Sequence, residues 1–272
     1  MSPHIMVFDS GIGGTTVLKH IQQYIPDGRY SYFMDNAYLP YGKLSQQTII
    51  QRLSGLLIFI ETQQLHVDVL VIACNTASTS ALSALRELTT IPIVGVVPAI
   101  KPAALLSKSQ HIALLATPAT VESSYTQQLI SQHGQAVTVH LYASVELVAL
   151  AEQTYQSKKI MQDKLVAELD SLAIDNRVDV IVLGCTHFPI LAKGLNEYFN
   201  STVLLLDSGV AIAKRVCAIL TEHNIDWSNE LDTNKCTGKK KPLRYYATAS
   251  IYVDKQPVEL VTLIDPTQNE KS

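Results

Sequence analysis

The sequence has little cysteine, and its cysteines are not spaced for a disulfide framework or a common metal site. The 272 residues include four cysteines, none in a C-x-x-C pair: Cys74, Cys185, Cys217 and Cys236. This pattern argues against a zinc ribbon, a thioredoxin-like redox motif and a small disulfide-stapled fold. Each cysteine is therefore interpreted singly, as core filler, metal ligand or reactive thiol.

Long apolar runs and a strong charge of either sign are also missing. No apolar stretch approaches the roughly 18 residues of a membrane-spanning helix. The start, MSPHIMVFDS, lacks the regions of a signal peptide, so we expect a cytoplasmic protein with no membrane partner. Charged residues make up 17% and the net charge is −3, so no nucleic-acid partner is expected. The basic run Lys239, Lys240 and Lys241 is interpreted as a solvated loop.

The sequence does contain a regular alternation of short β-branched runs and helical patterns. Runs such as IMVF, VDVLVIA, HIALLAT and VDVIVLG predict strands, and helical spacing follows them. Strands that are apolar on both faces and separated by helices favour parallel sheets covered on both sides. Among the expected helices are one over 118–134, one near 144–156, a longer one near 157–173 and one after Pro189.

Two stretches of this alternation nearly repeat each other. VDVLVIACNT covers residues 67–76 and VDVIVLGCTH covers 178–187, so Cys74 and Cys185 follow matching strands. The tripeptide DSG also occurs twice, after the first strand and after VLLL. In parallel α/β sheets, ligands bind beyond the carboxyl ends of the strands, where these residues lie. The repeats predict two similar α/β lobes that face each other across a site.

The paired cysteines are interpreted as reactive thiols. Each lies between a strand end and a helix start, where the helix dipole favours the thiolate; the first of these helices is expected from about residue 77. His187, two positions after Cys185, is a candidate proton partner. Two opposed thiols could take a proton from one face of a carbon and return one to the other face. Such an inversion needs no metal and no cofactor.

Other interpretations of the cysteines stay open. As small buried side chains they would be core filler, which is what we expect of Cys217 in an apolar helix. Cys236 lies in a polar stretch and is expected to be exposed. Cys185 and His187 could contribute to a zinc site, although no further ligand completes a usual spacing. Cys74 and Cys185 could also meet as a redox pair.

Several other polar residues follow predicted strand ends or turns. DSGIGG, residues 9–14, matches neither the dinucleotide nor the P-loop pattern, but its glycine N–H groups suit an anion such as a carboxylate. Asp9 could pair with an ammonium group or tune a nearby acid, or it could cap the helix, as could Ser10. The further candidates lie in a turn, at a helix start and in a helix: Tyr41 and Gly42, Thr117 and Thr120, and Glu152.

Taken together, six ordered motifs resemble the glutamate racemases, cofactor-independent enzymes that make D-glutamate for peptidoglycan. The motifs span residues 5 to about 220: FDSGIGGTTVL, YLPYGKLS, ACNTAS, LLATPAT, LGCTHFPIL and LDSGVAIA. The resemblance implies an isomerase with two cysteine bases that interconverts L- and D-glutamate, with no cofactor and no metal. It also implies two α/β domains with the active site in the cleft between them, residues 1–97 with 208–272, and residues 98–207.

The resemblance assigns roles to individual residues. Cys74 would be the base that serves D-glutamate and Cys185 the base that serves L-glutamate. Asp9 and His187 would each assist the nearer cysteine. Glu152 is only an approximate counterpart of a further helper in the family's VPLVE segment, because the segment reads ASVELVALAE here. The positions that match substrate contacts are Asp9, Ser10, Tyr41, Gly42, Asn75, Thr76, Thr117, Thr120, Thr186 and His187.

Partners and alternatives follow from the same resemblance. The sequence looks like the proteobacterial branch, in which some enzymes need a UDP-linked muramyl-alanine precursor as activator. Such an activator and a homodimer are both left open for this chain. An aspartate racemase of the same superfamily is the nearest alternative function. From another class, the alternative is a binding protein without turnover, such as a gyrase inhibitor that uses the lysine run.

Overall fold

The strands form two separate sheets in a computed structural model that describes residues 2–227, 243–254 and 256–264. The first sheet has the order β10-β9-β2-β1-β3-β4 and contains β1 (His4–Asp9), β2 (Arg29–Met34), β3 (Val69–Ile72), β4 (Ile93–Gly95), β9 (Arg244–Ala247) and β10 (Val258–Leu260). The second has the order β6-β5-β7-β8 and contains β5 (His111–Ala116), β6 (Thr138–Ala143), β7 (Val180–Gly184) and β8 (Leu204–Leu206). Each neighbouring pair of these strands is parallel.

Helices connect the strands of both sheets. They are α1 (Thr15–Tyr24), α2 (Gln46–Thr62), α3 (Asn75–Glu87), α4 (Ile100–Leu106), α5 (Pro118–Glu122), α6 (Ser124–His133), α7 (Glu146–Ser157), α8 (Gln162–Leu172), α9 (Ala192–Tyr198) and α10 (Gly209–Glu222). Short 3-10 turns occupy Asn36–Tyr38, Tyr41–Lys43 and Phe188–Leu191. No helix in the described part of the chain is long and apolar enough to cross a membrane.

The helices cover both faces of each sheet. Strand side chains alternate between the faces, so Ile5 and Val7 pack with α1 and α10, whereas Met6 and Phe8 pack with α2 and α3. The second sheet has α4 and α6 on one face, and α7, α8 and α9 on the other. The predicted fold class, two three-layer α/β units with mainly parallel sheets, is confirmed. The boundaries of the lobes, 1–97 with 208–272 and 98–207, stay a prediction.

The single helix predicted over 118–134 is wrong, because the chain forms two helices there. Ser123 separates α5 from α6 with an extended backbone, at φ −62° and ψ 139°. Its hydroxyl accepts a hydrogen bond from the Thr126 backbone N–H at 3.1 Å and so caps α6. The tendency of serine to cap a helix therefore outweighs the helical spacing around it. Gly134 ends α6, as predicted.

The helix predicted after Pro189 is confirmed; it begins at Ala192, since the proline lies in the preceding 3-10 turn. One other helix prediction needs correction. The helix near 157–173 was expected to be longer than the one near 144–156. It is in fact slightly shorter, since α8 has 11 residues and α7 has 12. Lys158, with a left-handed backbone at φ 57°, ends α7 and starts the connection between them.

A buried carboxylate, Asp35, fixes the turn that follows β2. Arg52 of α2 donates two hydrogen bonds to it, at 2.8 and 2.7 Å, and the Tyr41 hydroxyl donates another at 2.6 Å. The Thr248 hydroxyl, just after β9, donates a fourth at 2.8 Å. Asp35 is fully buried, so it relies on these donors instead of on water. Helix α2, the turn that holds Tyr41 and the chain after β9 are thereby joined.

We expect Arg52→Met to lower the free energy of unfolding by about 3 kcal/mol, because it leaves a buried charge without its partner. Urea denaturation measures the change. Arg215→Met is the matched control, since Arg215 pairs with Glu222 on the surface, and there we expect at most about 1 kcal/mol. A loss for Arg52→Met no larger than that of the control would contradict the role given to Asp35.

Candidate active site

Cys74 and Cys185 reach one cavity from the two different sheets. Cys74 follows β3 and is the N-cap residue of α3, and Cys185 directly follows β7. Both are free thiols, buried at 6% and 7% exposure, and both line the same cavity. Helix α3 begins at Asn75, two residues earlier than expected, whereas Cys185 is followed by the 3-10 turn at Phe188–Leu191. Only Cys74 therefore lies at the start of an α-helix.

The cavity brings together most of the residues expected at the site. Those that line it are Ser10, Tyr41, Gly42, Cys74, Asn75, Thr76, Thr117, Cys185, Thr186 and His187. Pro40 and Val148 also line it and were not predicted. Pro40 precedes a predicted residue, but Val148 is an ordinary apolar position of a helix and gave no signal. Asp9, Thr120 and Glu152 do not line the cavity, but each forms a hydrogen bond with a residue that does.

Asp9 joins the two sheets behind the cavity. Its fully buried carboxylate accepts a hydrogen bond from the Thr186 hydroxyl at 2.9 Å and one from the Gly11 N–H at 2.9 Å. Burial raises the pKa of Asp9, although the nearby His187 charge and these two donors oppose the shift. Helix α1 follows Gly14 as its N-cap, so neither Asp9 nor Ser10 caps it.

Buried His187 and partly exposed Glu152 form an ion pair beside Cys185. The Glu152 carboxylate accepts hydrogen bonds from His187 Nε2 at 2.7 Å and from the Ile12 backbone N–H at 2.9 Å. The other ring nitrogen, His187 Nδ1, lies 3.8 Å from the Cys185 sulfur. Burial acts to lower the pKa of His187, but its hydrogen bonds to Cys185 and Glu152 raise it well above the ordinary value. The direction of this shift favours the imidazolium form of His187 next to Cys185.

The Glu152 carboxylate is kept ionised by the same contacts. Burial acts to raise its pKa, but the hydrogen bond and the charge of His187 lower it below the ordinary value. Glu152, the weaker candidate from the sequence, thus contacts the site through His187.

The glycine loop receives a carboxylate from the chain itself, that of Glu152, whereas an anion bound by the glycine N–H groups stays a prediction. Its N–H donor is that of Ile12, between Gly11 and Gly13. A Cβ atom on Gly13 would lie 2.5 Å from His187 Nδ1, and one on Gly11 would meet the Glu152 carboxylate. Glycine is needed at both positions because the ion pair presses against the backbone there.

The expected acidity of Cys74 is wrong. Burial, followed by the charge of Asp9, raises the pKa of its thiol, even though the Ala77 backbone N–H and the Ser10 hydroxyl act to lower it. The thiol donates a weak hydrogen bond to Ser10 Oγ at 3.8 Å. Desolvation thus outweighs the N-terminus of α3 at this position. Cys74 carries its proton at neutral pH, while the positive charge of the site lies beside Cys185.

Three threonine hydroxyls form a cluster on another wall of the cavity. Thr76 Oγ1 lies 2.8 Å from Thr117 Oγ1 and 3.2 Å from Thr120 Oγ1. Thr117 also caps α5 by accepting from the Thr120 backbone N–H at 3.4 Å. Capping and lining the cavity are thus compatible for Thr117. Nearby, Asn75 Oδ1 is buried and has no hydrogen-bond partner among the described residues, which leaves an acceptor for a donor such as an ammonium group.

Other sequence features lie outside this cavity. The second DSG, residues 207–209, does not line it, and Asp207 accepts a hydrogen bond from the Gly209 N–H. Cys217 is buried in α10, as expected of core filler. Within the described ranges, no three His, Cys, Asp or Glu side chains are grouped as a metal ion would require. Cys236 and the run Lys239–Lys241 lie outside the described residues.

Known proteins with similar sequences are racemases. The model of the Asp/Glu/Hydantoin racemase family matches residues 14–216. The glutamate racemase of Shewanella woodyi is 49% identical over 224 residues, 82% of this chain and 84% of that protein. That of Shewanella frigidimarina is 50% identical over 224 residues, 82% of this chain and 86% of that protein.

Solved structures of glutamate racemases have the same fold as this chain. The Escherichia coli enzyme, in complex with L-glutamate and the activator UDP-MurNAc-ala, superposes with a TM-score of 0.81 and 36% identity, over 92% of this chain and 91% of that chain. Isoform RacE1 of Bacillus anthracis gives a TM-score of 0.78 and 26% identity, over 96% and 98% of the two chains. The family model covers more than half of the sequence and the Shewanella relatives align over four fifths of it. The chain therefore belongs to the Asp/Glu/Hydantoin racemase family.

Proposed function

We infer that the protein is an amino-acid racemase that interconverts L- and D-glutamate and supplies D-glutamate for peptidoglycan synthesis. One observation carries the proposal: Cys74 and Cys185, at the ends of matching strands in two sheets, line the same small cavity. Relatives named glutamate racemase, at 49% and 50% identity, favour glutamate over aspartate as the substrate.

The two thiols exchange roles with the direction of the reaction. For L-glutamate, the Cys185 sulfur takes the α-proton while the Cys74 thiol gives its proton to the opposite face of the carbon. One C–H bond breaks and another forms, so the centre is inverted and each thiol ends in the other's protonation state. For D-glutamate, Cys74 is the base and Cys185 the acid. The raised pKa of Cys74 and the imidazolium beside Cys185 both suit the state that accepts L-glutamate.

The polar lining suits the two ends of an α-amino acid. The unpartnered Asn75 Oδ1 is an acceptor for the substrate ammonium group. The hydroxyls of Thr76, Thr117 and Thr120 can donate to a carboxylate and offset the negative charge that develops as the α-proton leaves. Asp9 and Glu152 act on the thiols indirectly, Asp9 by its charge near Cys74 and Glu152 by holding His187.

Partners of the protein are proposed on the same basis. The E. coli relative is described with the activator UDP-MurNAc-ala, so we propose that the same precursor activates this enzyme. A homodimer is proposed as well and is tested by light scattering. Because D-glutamate is consumed where peptidoglycan precursors are assembled, the proposed function places the protein in the cytoplasm.

Incubation with L-glutamate in heavy water tests the function and the two thiols together. We expect optical rotation to fall to zero and the α-proton to be replaced by deuterium, with aspartate converted far more slowly. Cys74→Ser and Cys185→Ser should each lower turnover by about 10²- to 10⁴-fold, since a hydroxyl is a much weaker acid than a thiol and hardly forms its alkoxide base near neutral pH.

Cys217→Ser is the matched control for these variants, because Cys217 lies in α10 away from the cavity, and it should keep turnover near the native rate. Absence of exchange with glutamate, with or without the muramyl precursor, would overturn the racemase. Near-native turnover of either active-site serine variant in both directions would overturn the two-thiol mechanism.

The pH profile for D-glutamate should report the thiol of Cys74. This direction needs the thiolate, so kcat/KM rises with pH through the raised pKa of Cys74. The charge of Asp9 contributes to that raised pKa, so Asp9→Asn should move the rising limb to lower pH, whatever its effect on the maximal rate. Asp163→Asn, on the exposed side of α8, should leave the limb in place. A limb that does not move in Asp9→Asn would contradict the coupling.

The falling limb of the pH profile for L-glutamate should report the pair formed by His187 and Glu152. Glu152→Gln removes a contact that raises the pKa of His187, so the imidazolium is lost at a lower pH and the falling limb for L-glutamate moves to lower pH. We expect kcat/KM at neutral pH to fall by about 10²-fold. Glu146→Gln, in the first turn of the same helix, is the control. An unchanged profile in Glu152→Gln would show that Glu152 does not act through His187.

A further inference from the structure

The hydroxyl of Tyr32 contacts the glycine loop, residues 9–14, from the core of the first sheet. Tyr32 belongs to β2 and is fully buried, and its ring packs against that of Tyr245 with the centroids 5.9 Å apart. The hydroxyl donates a hydrogen bond of 2.8 Å to the Gly11 carbonyl oxygen. Tyr32 does not line the cavity of the two cysteines, so its contact with the site runs through the loop.

The Gly11 carbonyl and the Ile12 N–H are the two polar ends of one peptide group. This peptide is trans and planar, so its C=O and N–H point in opposite directions. Tyr32 donates to the carbonyl end at 2.8 Å, and Glu152 accepts from the N–H end at 2.9 Å. A rotation of the peptide plane would break both bonds at once. Each bond therefore supports the other.

The other hydrogen bonds of the loop do not fix this peptide plane. The Gly11 N–H, which donates to Asp9, belongs to the preceding peptide, and the Ile12 carbonyl, which accepts from Thr15, belongs to the following one. Gly11 has no Cβ atom, so its backbone can rotate at low cost. A hydrogen bond to a carbonyl also polarises the peptide and strengthens the bond made by its N–H. The Tyr32 hydroxyl therefore affects both the direction and the strength of the bond to Glu152.

The Tyr32 hydroxyl keeps its proton and is always the donor in this contact. Burial, followed by the charges of Asp9 and Glu152, holds the pKa of Tyr32 well above its ordinary value. Ionisation of the phenol therefore does not interrupt its bond to the Gly11 carbonyl near neutral pH.

We propose that Tyr32 is a positioning residue of the active site, whose hydroxyl fixes the Gly11–Ile12 peptide so that the Ile12 N–H holds Glu152 against His187. The Glu152 carboxylate accepts from His187 Nε2 at 2.7 Å, and His187 Nδ1 lies 3.8 Å from the Cys185 sulfur. The effect on turnover rests on the racemase function proposed above, whereas the effect on Glu152 and His187 does not.

The titratable groups that face the pair of Glu152 and His187 come from several elements. Cys185 follows β7 and Asp9 ends β1, and both act on the charge of His187. Tyr32 of β2 and Tyr155 of α7 both interact with the charge of Glu152. Tyr32 is the one of these four that also binds the peptide whose N–H contacts Glu152.

Loss of the Tyr32 hydroxyl should change the protonation of His187 in a definite direction. Burial acts to raise the pKa of Glu152, while His187 and the Ile12 N–H lower it. Burial acts to lower the pKa of His187, while its bonds to Cys185 and Glu152 raise it. A weaker bond from Ile12 makes Glu152 a poorer partner, so the pKa of His187 falls and the imidazolium is lost at a lower pH.

Tyr32→Phe removes the hydroxyl and keeps the ring, and Tyr30→Phe is its matched control. Tyr30 is also a buried residue of β2, and its hydroxyl also donates to a backbone carbonyl, that of Ile25, away from the glycine loop. Each variant loses one buried hydrogen bond, so we expect similar decreases in Tm. Only Tyr32→Phe should change the active site.

Two NMR measurements test the positioning without turnover. The imidazole signals of His187, assigned with His187→Asn, should show loss of the proton at lower pH in Tyr32→Phe than in the native protein or in Tyr30→Phe. The Ile12 amide should be protected from hydrogen exchange in the native protein and in Tyr30→Phe. In Tyr32→Phe we expect it to exchange about threefold faster or more, because its peptide has lost one of two bonds.

The kinetics of racemisation test the consequence for the reaction. We expect kcat/KM for L-glutamate at neutral pH to fall by about three- to tenfold in Tyr32→Phe, with the falling limb moved to lower pH. The loss should lie in kcat, with KM near the native value, because Tyr32 does not line the cavity. The double variant Tyr32→Phe/Glu152→Gln should be no slower than Glu152→Gln alone, since Tyr32 acts through Glu152.

Rapid exchange of the Ile12 amide in the native protein would overturn the proposed hold on the peptide without any variant. An unchanged titration of His187 in Tyr32→Phe, or an equal shift in Tyr30→Phe, would overturn the positioning role. Additive losses in the double variant would overturn the route through Glu152. The NMR measurements give their answer even if the protein does not racemise glutamate, so this proposal and the racemase proposal fail separately.

Discussion

The carboxylate of Glu152 is the group on which the geometry of the site depends. It accepts hydrogen bonds from His187, at the end of the second sheet, and from the N–H of Ile12, in the glycine loop of the first sheet. Because it is charged and only 16% exposed, it relies on both donors, and each donor belongs to a different unit. Together with the bond from Thr186 to Asp9, it sets how the two cysteine-bearing strand ends face each other.

The surroundings of the two thiols differ more than their sequences do. Cys185 lies beside an imidazolium, whereas the charge near Cys74 is the carboxylate of Asp9. In the proposed two-thiol mechanism, one thiol holds a proton while the other accepts one, because the two faces of a stereocentre need opposite proton transfers. The different charges near Cys74 and Cys185 provide this difference, although the strands that precede the two cysteines have nearly the same sequence.

Much of this arrangement could be predicted from the sequence, because apolar strands and the residues after them are local patterns. The two sheets and the paired cysteines follow from those patterns, whereas most of the cavity lining was implied by the resemblance to the glutamate racemases. The thiol pKa of Cys74 could not be predicted, since desolvation depends on packing between residues distant along the chain. The break at Ser123 and the contact of Val148 with the cavity likewise depend on competition and packing that spacing alone does not reveal.

Because the site is divided between two sheets, catalytic competence, meaning both thiols in one cavity, depends on how the two units dock. Each sheet has its own helices and its own core, yet neither unit alone holds both thiols. The cysteines lie more than a hundred positions apart, so the site forms only after two long stretches of chain have ordered and docked. Competence is thus a property of the docked interface, because separating the two units would divide the cavity even if each kept its own sheet and helices.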